Sequence, residues 1–346
     1  MRNFARLALV VALAAAGGSA GASSAAAAGC ALSVMLQLPV TMVDGRPMVS
    51  AKIDGVDTRL AVSSGYYFNF VSRRKAFELG MRTSKYLEPG VHGVEGGEDE
   101  EYVAMAKTLA LPGVTVPSVP FMVQDGDFSG GVVGRLGQNA FSFGDVEYDF
   151  AGGVIRVYKA DGCGADPMVF WDHKAGYSAI TVEAQDDDQP FIVGTAFING
   201  KPLRVMFLTD SRRSLLTRDG ARKLDLDLGA GDRSAWATAA IGSFKVGEEE
   251  IRNTHLLVSP HDSAYYGAHV DLFLGADFFQ SHHLYLSRGQ RKLYFTYSGG
   301  KVFNLEAPVR AADDYGEGRA VTGQRARSTA AETLRHVQQS GLGPSP

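Results

Sequence analysis

The stretch FINGKPLRVMFLTDSRRSLLTRDGARKLDL, residues 197–226, decides how this chain is read. It runs as strand, Asn-Gly turn, strand, sharp loop and a helix opened by Thr217. An earlier stretch, KIDGVDTRLAVSSGYYFNFVSRRKAFELGM (52–81), matches it without a gap at an offset of 145 positions. Ile53 falls on Ile198, Gly55 on Gly200, Arg59 on Arg204, Val71 on Leu216 and Leu79 on Leu224. The two copies differ at the loop, which reads Ser63-Ser64-Gly65 in the first and Leu208-Thr209-Asp210 in the second.

A second landmark closes each copy. VGRLGQNAF (133–141) lines up with DLFLGADFF (271–279), so that Leu136-Gly137 falls on Leu274-Gly275 and Asn139 on Asp277. A hairpin pattern follows each time, DVEYDFAGGVIRVY (145–158) and HLYLSRGQRKLYFTY (283–297), with apolar alternation on both sides of a Gly-containing turn. Self-similarity of this period predicts a duplicated unit. Short strands and tight turns disfavour a parallel α/β sheet. One short helix per copy is expected, at Arg73–Leu79 and Arg218–Leu224.

The ends read differently. Arg2 and Arg6 precede an apolar run, Leu7 to Ala16, and then GGSAGASSAAAAG. That is the pattern of a secretory signal peptide over 1–29. It predicts an exported protein, periplasmic or secreted. The run is shorter than the ~20 residues a membrane-spanning helix needs, and no spanning segment is expected elsewhere. A competing reading makes Cys30, at the end of AAGC, a lipid anchor; the distance of the apolar run and Ala27 in place of Leu disfavour it. The chain has two cysteines, Cys30 and Cys163. In an oxidising compartment they read as a disulfide, against two buried thiols. The polar stretch 306–346 is expected to be disordered, apart from a helix at Ala330–Gln339, and could meet a protein partner.

Hydrophobic residues make up 45% of the chain, enough for a core, and the formal charge is −4. Basic residues are not clustered with aromatics, which argues against a nucleic-acid partner. Neither cofactor nor metal is expected. His282-His283 are adjacent in a strand and point to opposite faces, so they suit a hairpin better than a metal. Ser64 with His92 lacks the third member of a serine hydrolase triad.

These parts together resemble a bacterial family of exported retropepsin-like aspartic proteases with two such domains in tandem. The resemblance rests on FINGKPLRVMF, SLLTRDGARKL, GVEGG, VGRLGQN, DLFLGADFF and the two hairpins. It implies an all-β fold of two retropepsin-like β-barrel lobes facing each other across a flap-covered cleft. The domain reading that follows is 30–160 and 186–305 for the lobes, 161–185 for a linker. The family's chemistry needs an Asp at the first loop position of each copy, because two close carboxylates share a proton and split the roles of base and acid. Here those positions hold Ser63 and Leu208. Ser64, Gly65 and Thr209 keep other parts of the motif, and Asp210 stands where Gly belongs. The resemblance therefore implies a degenerate protease that still holds an extended peptide in its cleft. The alternative is an active acid endopeptidase using Asp210, through a two-residue slip that makes Asp210-Ser211 the motif. Without the slip, Asp210 reads as a solvated loop residue paired with Arg212 or Arg213, and Asn139 and Asp277 as structural caps.

Overall fold

The computed structural model describes residues 30–85, 102–171, 176–185, 191–226, 235–266 and 269–306. The signal-peptide, GVEGG, His92 and tail readings lie outside these residues. Each sequence copy builds a closed six-stranded barrel. In the first lobe the strands are Arg46–Ile53, Val56–Val62, Gly134–Leu136, Phe70–Ser72, Val114–Gln124 and Tyr102–Leu111, and pairing of Ile53 with Leu109 closes the ring. In the second they are Ile192–Ile198, Lys201–Phe207, Leu272–Leu274, Leu215–Leu216, Glu249–Val258 and Ala237–Val246, closed where Phe197 meets Lys245.

Local sequence explains the repeated corner. Asp54-Gly55 and Asn199-Gly200 both take left-handed backbone, with φ of 50° and 84°, then 49° and 79°. Two left-handed residues in a row make the turn whose twist suits a tight hairpin, and Asn, Asp and Gly tolerate it best. Ser72 and Thr217 cap the helices Arg73–Glu78 and Arg218–Lys223 by accepting from Lys75 N and Gly220 N. Each thereby satisfies an N–H that the first helical turn leaves open. A further helix, Ala276–Ser281, follows the second Leu-Gly pair and was not expected.

The lobes are joined by a six-stranded sheet that neither copy could make alone. Its order is Ala31–Pro39, Val154–Asp161, Asp145–Asp149, His282–Ser287, Lys292–Tyr297 and Ser178–Thr181. The two hairpins expected from sequence are present, and they pair with each other: Val146 lies opposite Leu286 and Tyr148 opposite Leu284. The segment read as a linker supplies the last strand, with Ser178 opposite Phe295. Tyr148, Phe150 and Phe279 pack edge-to-face and stacked beneath the junction, all buried.

The other face of this sheet mixes polar groups with Tyr158, Tyr285 and Tyr294 and is covered by Met168, Val169 and Trp171. Glu147 accepts from Arg156, Tyr158 and His283, the last from the opposite lobe, at 2.7–2.9 Å. Burial alone would push this carboxyl up; the hydrogen bonds of His283, Arg156 and Tyr158 outweigh it and hold it below the ordinary value. His282 points the other way, stacks on Phe278 and faces Glu249 at 3.0 Å. Trp171 stacks on His283 at 4.1 Å. Cys30 and Cys163 form a disulfide that ties the first strand of this sheet to the segment over its face.

Candidate functional site

The two loops meet at the pseudo-two-fold axis, and their hydrogen bonds fix the alignment. Ser64 N–H donates to Thr209 Oγ1 at 2.9 Å, and Thr209 N–H donates to Ser64 Oγ at 2.8 Å. The same hydroxyls donate across the axis, Ser64 to the Phe207 carbonyl at 3.0 Å and Thr209 to the Val62 carbonyl at 2.9 Å. One residue earlier, Ser63 N–H donates to the Leu136 carbonyl and Leu208 N–H to the Leu274 carbonyl. Ser63 and Leu208 are therefore equivalent, as the ungapped match states. The two-residue slip that would make Asp210-Ser211 the motif is overturned.

This reciprocal grip is buried, so its groups have no access to water. Ser64→Ala would leave Thr209 N–H without its partner and take one hydrogen bond from the Phe207 carbonyl. An orphaned buried N–H costs about 1–3 kcal/mol. We expect Ser64→Ala to lose about 2 kcal/mol in urea unfolding, with a coupling of at least ~0.5 kcal/mol in a cycle with Thr209→Val. Additive losses would mean that the two hydroxyls act separately.

Asp210 is not the solvated residue expected from sequence. Its side chain is 2% exposed. It crosses into the first lobe, where Oδ2 accepts from Ser63 Oγ at 2.9 Å and from Gly65 N–H at 2.9 Å. Its other oxygen lies 3.8 Å from Nε of Arg135, which is also buried. The Arg135 guanidinium sits 4.7 Å over the Tyr66 ring and 4.9 Å over Phe128, a cation held between aromatic faces. Ser63 leaves room for this arrangement, and Gly65 is needed for it: a Cβ at residue 65 would strike Leu208 Cδ1 and Asp210.

Leu208 lies outside the second lobe's main core, and its Cδ1 packs against Gly65 of the first loop. It is fully buried with Val193, Met206, Leu215, Leu257 and Phe273. Neither loop thus offers a carboxylate at its first position. The one carboxylate present comes from the second lobe's glycine position and faces a guanidinium. A charge paired in this way is not the shared-proton pair that aspartic chemistry uses.

Asp210 gives a pH signature with a definite sign. Burial pushes its carboxyl up, and the Arg135 charge, the Ser63 and Gly65 hydrogen bonds and the weaker Arg46 charge do not cancel the rise. A raised folded-state value means that the native protein holds this proton more tightly than the unfolded chain. Stability from this group is then lost as pH rises from about 4 through the folded-state value. Asp210→Asn should remove that loss, so its stability relative to wild type should grow between pH 4 and 7 in urea titrations. A trend of the opposite sign would mean that Arg135 outweighs burial.

Asp277 is a buried structural acceptor, as its position suggested. It takes Ser214 N–H at 2.9 Å, Ser214 Oγ at 2.7 Å and Asn304 N–H at 2.8 Å. In the first lobe Asn69 takes the place of Ser214 and accepts from Gly137 N–H, as Ser214 accepts from Gly275 N–H. Asn139 makes no such contact to Asn69. Arg135 was missed from sequence, although a signal exists. It stands where the second copy has Phe273, a charge inside an apolar-Leu-Gly strand.

Residues 49–139, which include the first loop, match a family model described as Aspartyl protease. Among solved structures the chain is similar to an aspartic proteinase from Irpex lacteus, at 14% identity over 77% of this chain and 97% of that one, with a TM-score of 0.46. It is also similar to a retropepsin-like aspartic protease from Rickettsia conorii, at 15% identity over 38% of this chain and 94% of that one, with a TM-score of 0.27. No curated protein sequence matches the chain.

Proposed function

We propose that this chain, of the retropepsin-like aspartic protease family, is a non-proteolytic member that holds an extended peptide between its lobes. One observation carries the reading: the buried Asp210 carboxylate is held by Ser63, Gly65 and Arg135, while Leu208 fills the remaining catalytic position. Hydrolysis needs one group to take a proton from water and another to polarise the carbonyl. Ser63 does not ionise in the useful range, and Leu208 has no polar atom. The intact grip between Ser64 and Thr209 supports a frame kept for something other than cleavage. Peptides in such frames are held largely by main-chain pairing, which does not depend on the lost carboxylates. The basic and apolar start of the chain, with the Cys30–Cys163 bond, supports an exported, envelope-located protein.

The test is incubation of the folded chain with a diverse peptide pool from acid to neutral pH, read by mass spectrometry. No cleavage is expected at any pH. Cleavage that Asp210→Asn abolishes would overturn the reading and revive an acid endopeptidase built on Asp210.

A further inference from the structure

We propose that two copies of this chain associate face to face through the first lobe's helix, with Phe77 of each copy seated against a hollow on the other. The surface shares no residue with the two loops at the axis. Phe77, on the helix Arg73–Glu78, is 86% exposed. Single exposed apolar residues are ordinary on a protein surface, but this one forms a wall of a hollow. The hollow, of about 500 Å³, lies between the helix and the turn after Val114–Gln124. Arg73, Arg74, Asp125, Gly126 and Asp127 make up the rest of it. Arg73 pairs with Asp125 at 2.5 Å and Arg74 with Asp127 at 2.8 Å. The lining is mostly apolar, because long arginine stems present carbon while their charged ends are paired.

The second lobe covers the equivalent ground with its own chain. Its connection to the strand Leu272–Leu274, residues 259–271, is longer than the first lobe's, 125–133. It folds a short turn, Ser263–Tyr266, back to the helix Arg218–Lys223. Ser263 N–H and Oγ donate to Asp219 at 3.1 and 2.6 Å, and Arg222 pairs with Asp262 at 3.0 Å. In the 145-residue repeat Arg74 matches Asp219 and Phe77 matches Arg222. The first lobe thus puts a phenyl ring where the second has a solvated charge, and its hollow stays open. Knob and hollow lie side by side on one patch. A two-fold axis brings each knob of such a patch to the other copy's hollow. The rim carries both signs, with Arg73, Arg74 and Lys75 beside Glu78, Asp125 and Asp127. A rim balanced in this way meets a copy of itself without net repulsion, and gives a strongly acidic or basic partner no advantage.

Sedimentation equilibrium of the full chain tests this over about 1–500 μM, a range set by the weak affinity that so small a contact implies. A reversible dimer with a dissociation constant of about 10–100 μM is expected. Phe77→Arg, which copies the second lobe, should weaken it at least about tenfold. The urea midpoint of that variant should not move, because the side chain is exposed in the single copy. Phe197→Arg, at an exposed phenylalanine of the second lobe, should leave the dimer unchanged. A chain that stays monomeric throughout would overturn the proposal, and the hollow would then belong to a different partner. Association that Phe77→Arg does not weaken, or that Phe197→Arg weakens equally, would overturn it as well. So would open-ended association, which a closed two-fold contact forbids.

Discussion

Leu208→Asp, which puts a carboxylate back at the second lobe's catalytic position, should destabilise the protein by about 5 kcal/mol and should not start proteolysis. Leu208 is fully buried among Val193, Met206, Leu215, Leu257 and Phe273. Losing a leucine from such a place costs about 2–5 kcal/mol. A polar group put there without partners adds about 1–3 kcal/mol more. Combining it with Ser63→Asp should not rescue activity, because Asp210 and Arg135 already occupy the centre. Urea unfolding at neutral pH measures the loss. Should the Asp variant be unfolded, Leu208→Ala gives the packing part alone, about 3 kcal/mol. A loss below about 1 kcal/mol in Leu208→Ala would mean that the leucine does not hold the second lobe's end of the site.

Opening the Cys30–Cys163 bond is the second large effect expected, about 4 kcal/mol. The bond joins residues 133 apart in sequence. Cross-linking so long a loop restricts the unfolded chain by about 4–5 kcal/mol in the chain-entropy account, and measured values commonly fall near 2–4. The Cys30→Ala, Cys163→Ala pair should lower the urea midpoint and steepen the slope, because the unfolded chain is no longer held compact. Part of the loss should also come from packing, because Cys163 is buried with Tyr158, Met168 and Val169. The Cys30 half is exposed, at the start of the shared sheet where Ala31 pairs with Asp161. A midpoint unchanged in the double variant would mean that the bond constrains nothing in the unfolded chain.

Much of the architecture is legible in the sequence because it rests on short-range rules. The Asp54-Gly55 and Asn199-Gly200 corners, the Ser72 and Thr217 caps and both closing hairpins follow from residues next to one another. The pairing of those hairpins is a different matter. Nothing near Val146 says that Leu286 will lie beside it, since each hairpin satisfies its own alternation and the partner is chosen by the meeting of two lobes. The strand Ser178–Thr181 was missed for the same reason: four residues have too little pattern to announce an edge. Asp210 shows a further limit. An Asp beside Arg212 and Arg213 reads as a surface ion pair, and only the approach of the first lobe, with small Ser63 and Gly65, gives it a buried berth.

The shared sheet also sets an order of events for a chain made from its N-terminus. When residues 30–160 have emerged, the strand Asp145–Asp149 can already pair with Val154–Asp161. Its other edge must wait for His282–Ser287, more than a hundred residues later. Until then the first lobe presents an unpaired strand with apolar Val146 and Tyr148, the kind of edge that recruits strands from other molecules. A half-length chain should therefore be a sticky species, not a miniature of the whole. A premature stop anywhere before residue 282 would yield an aggregate and not a one-lobed protein.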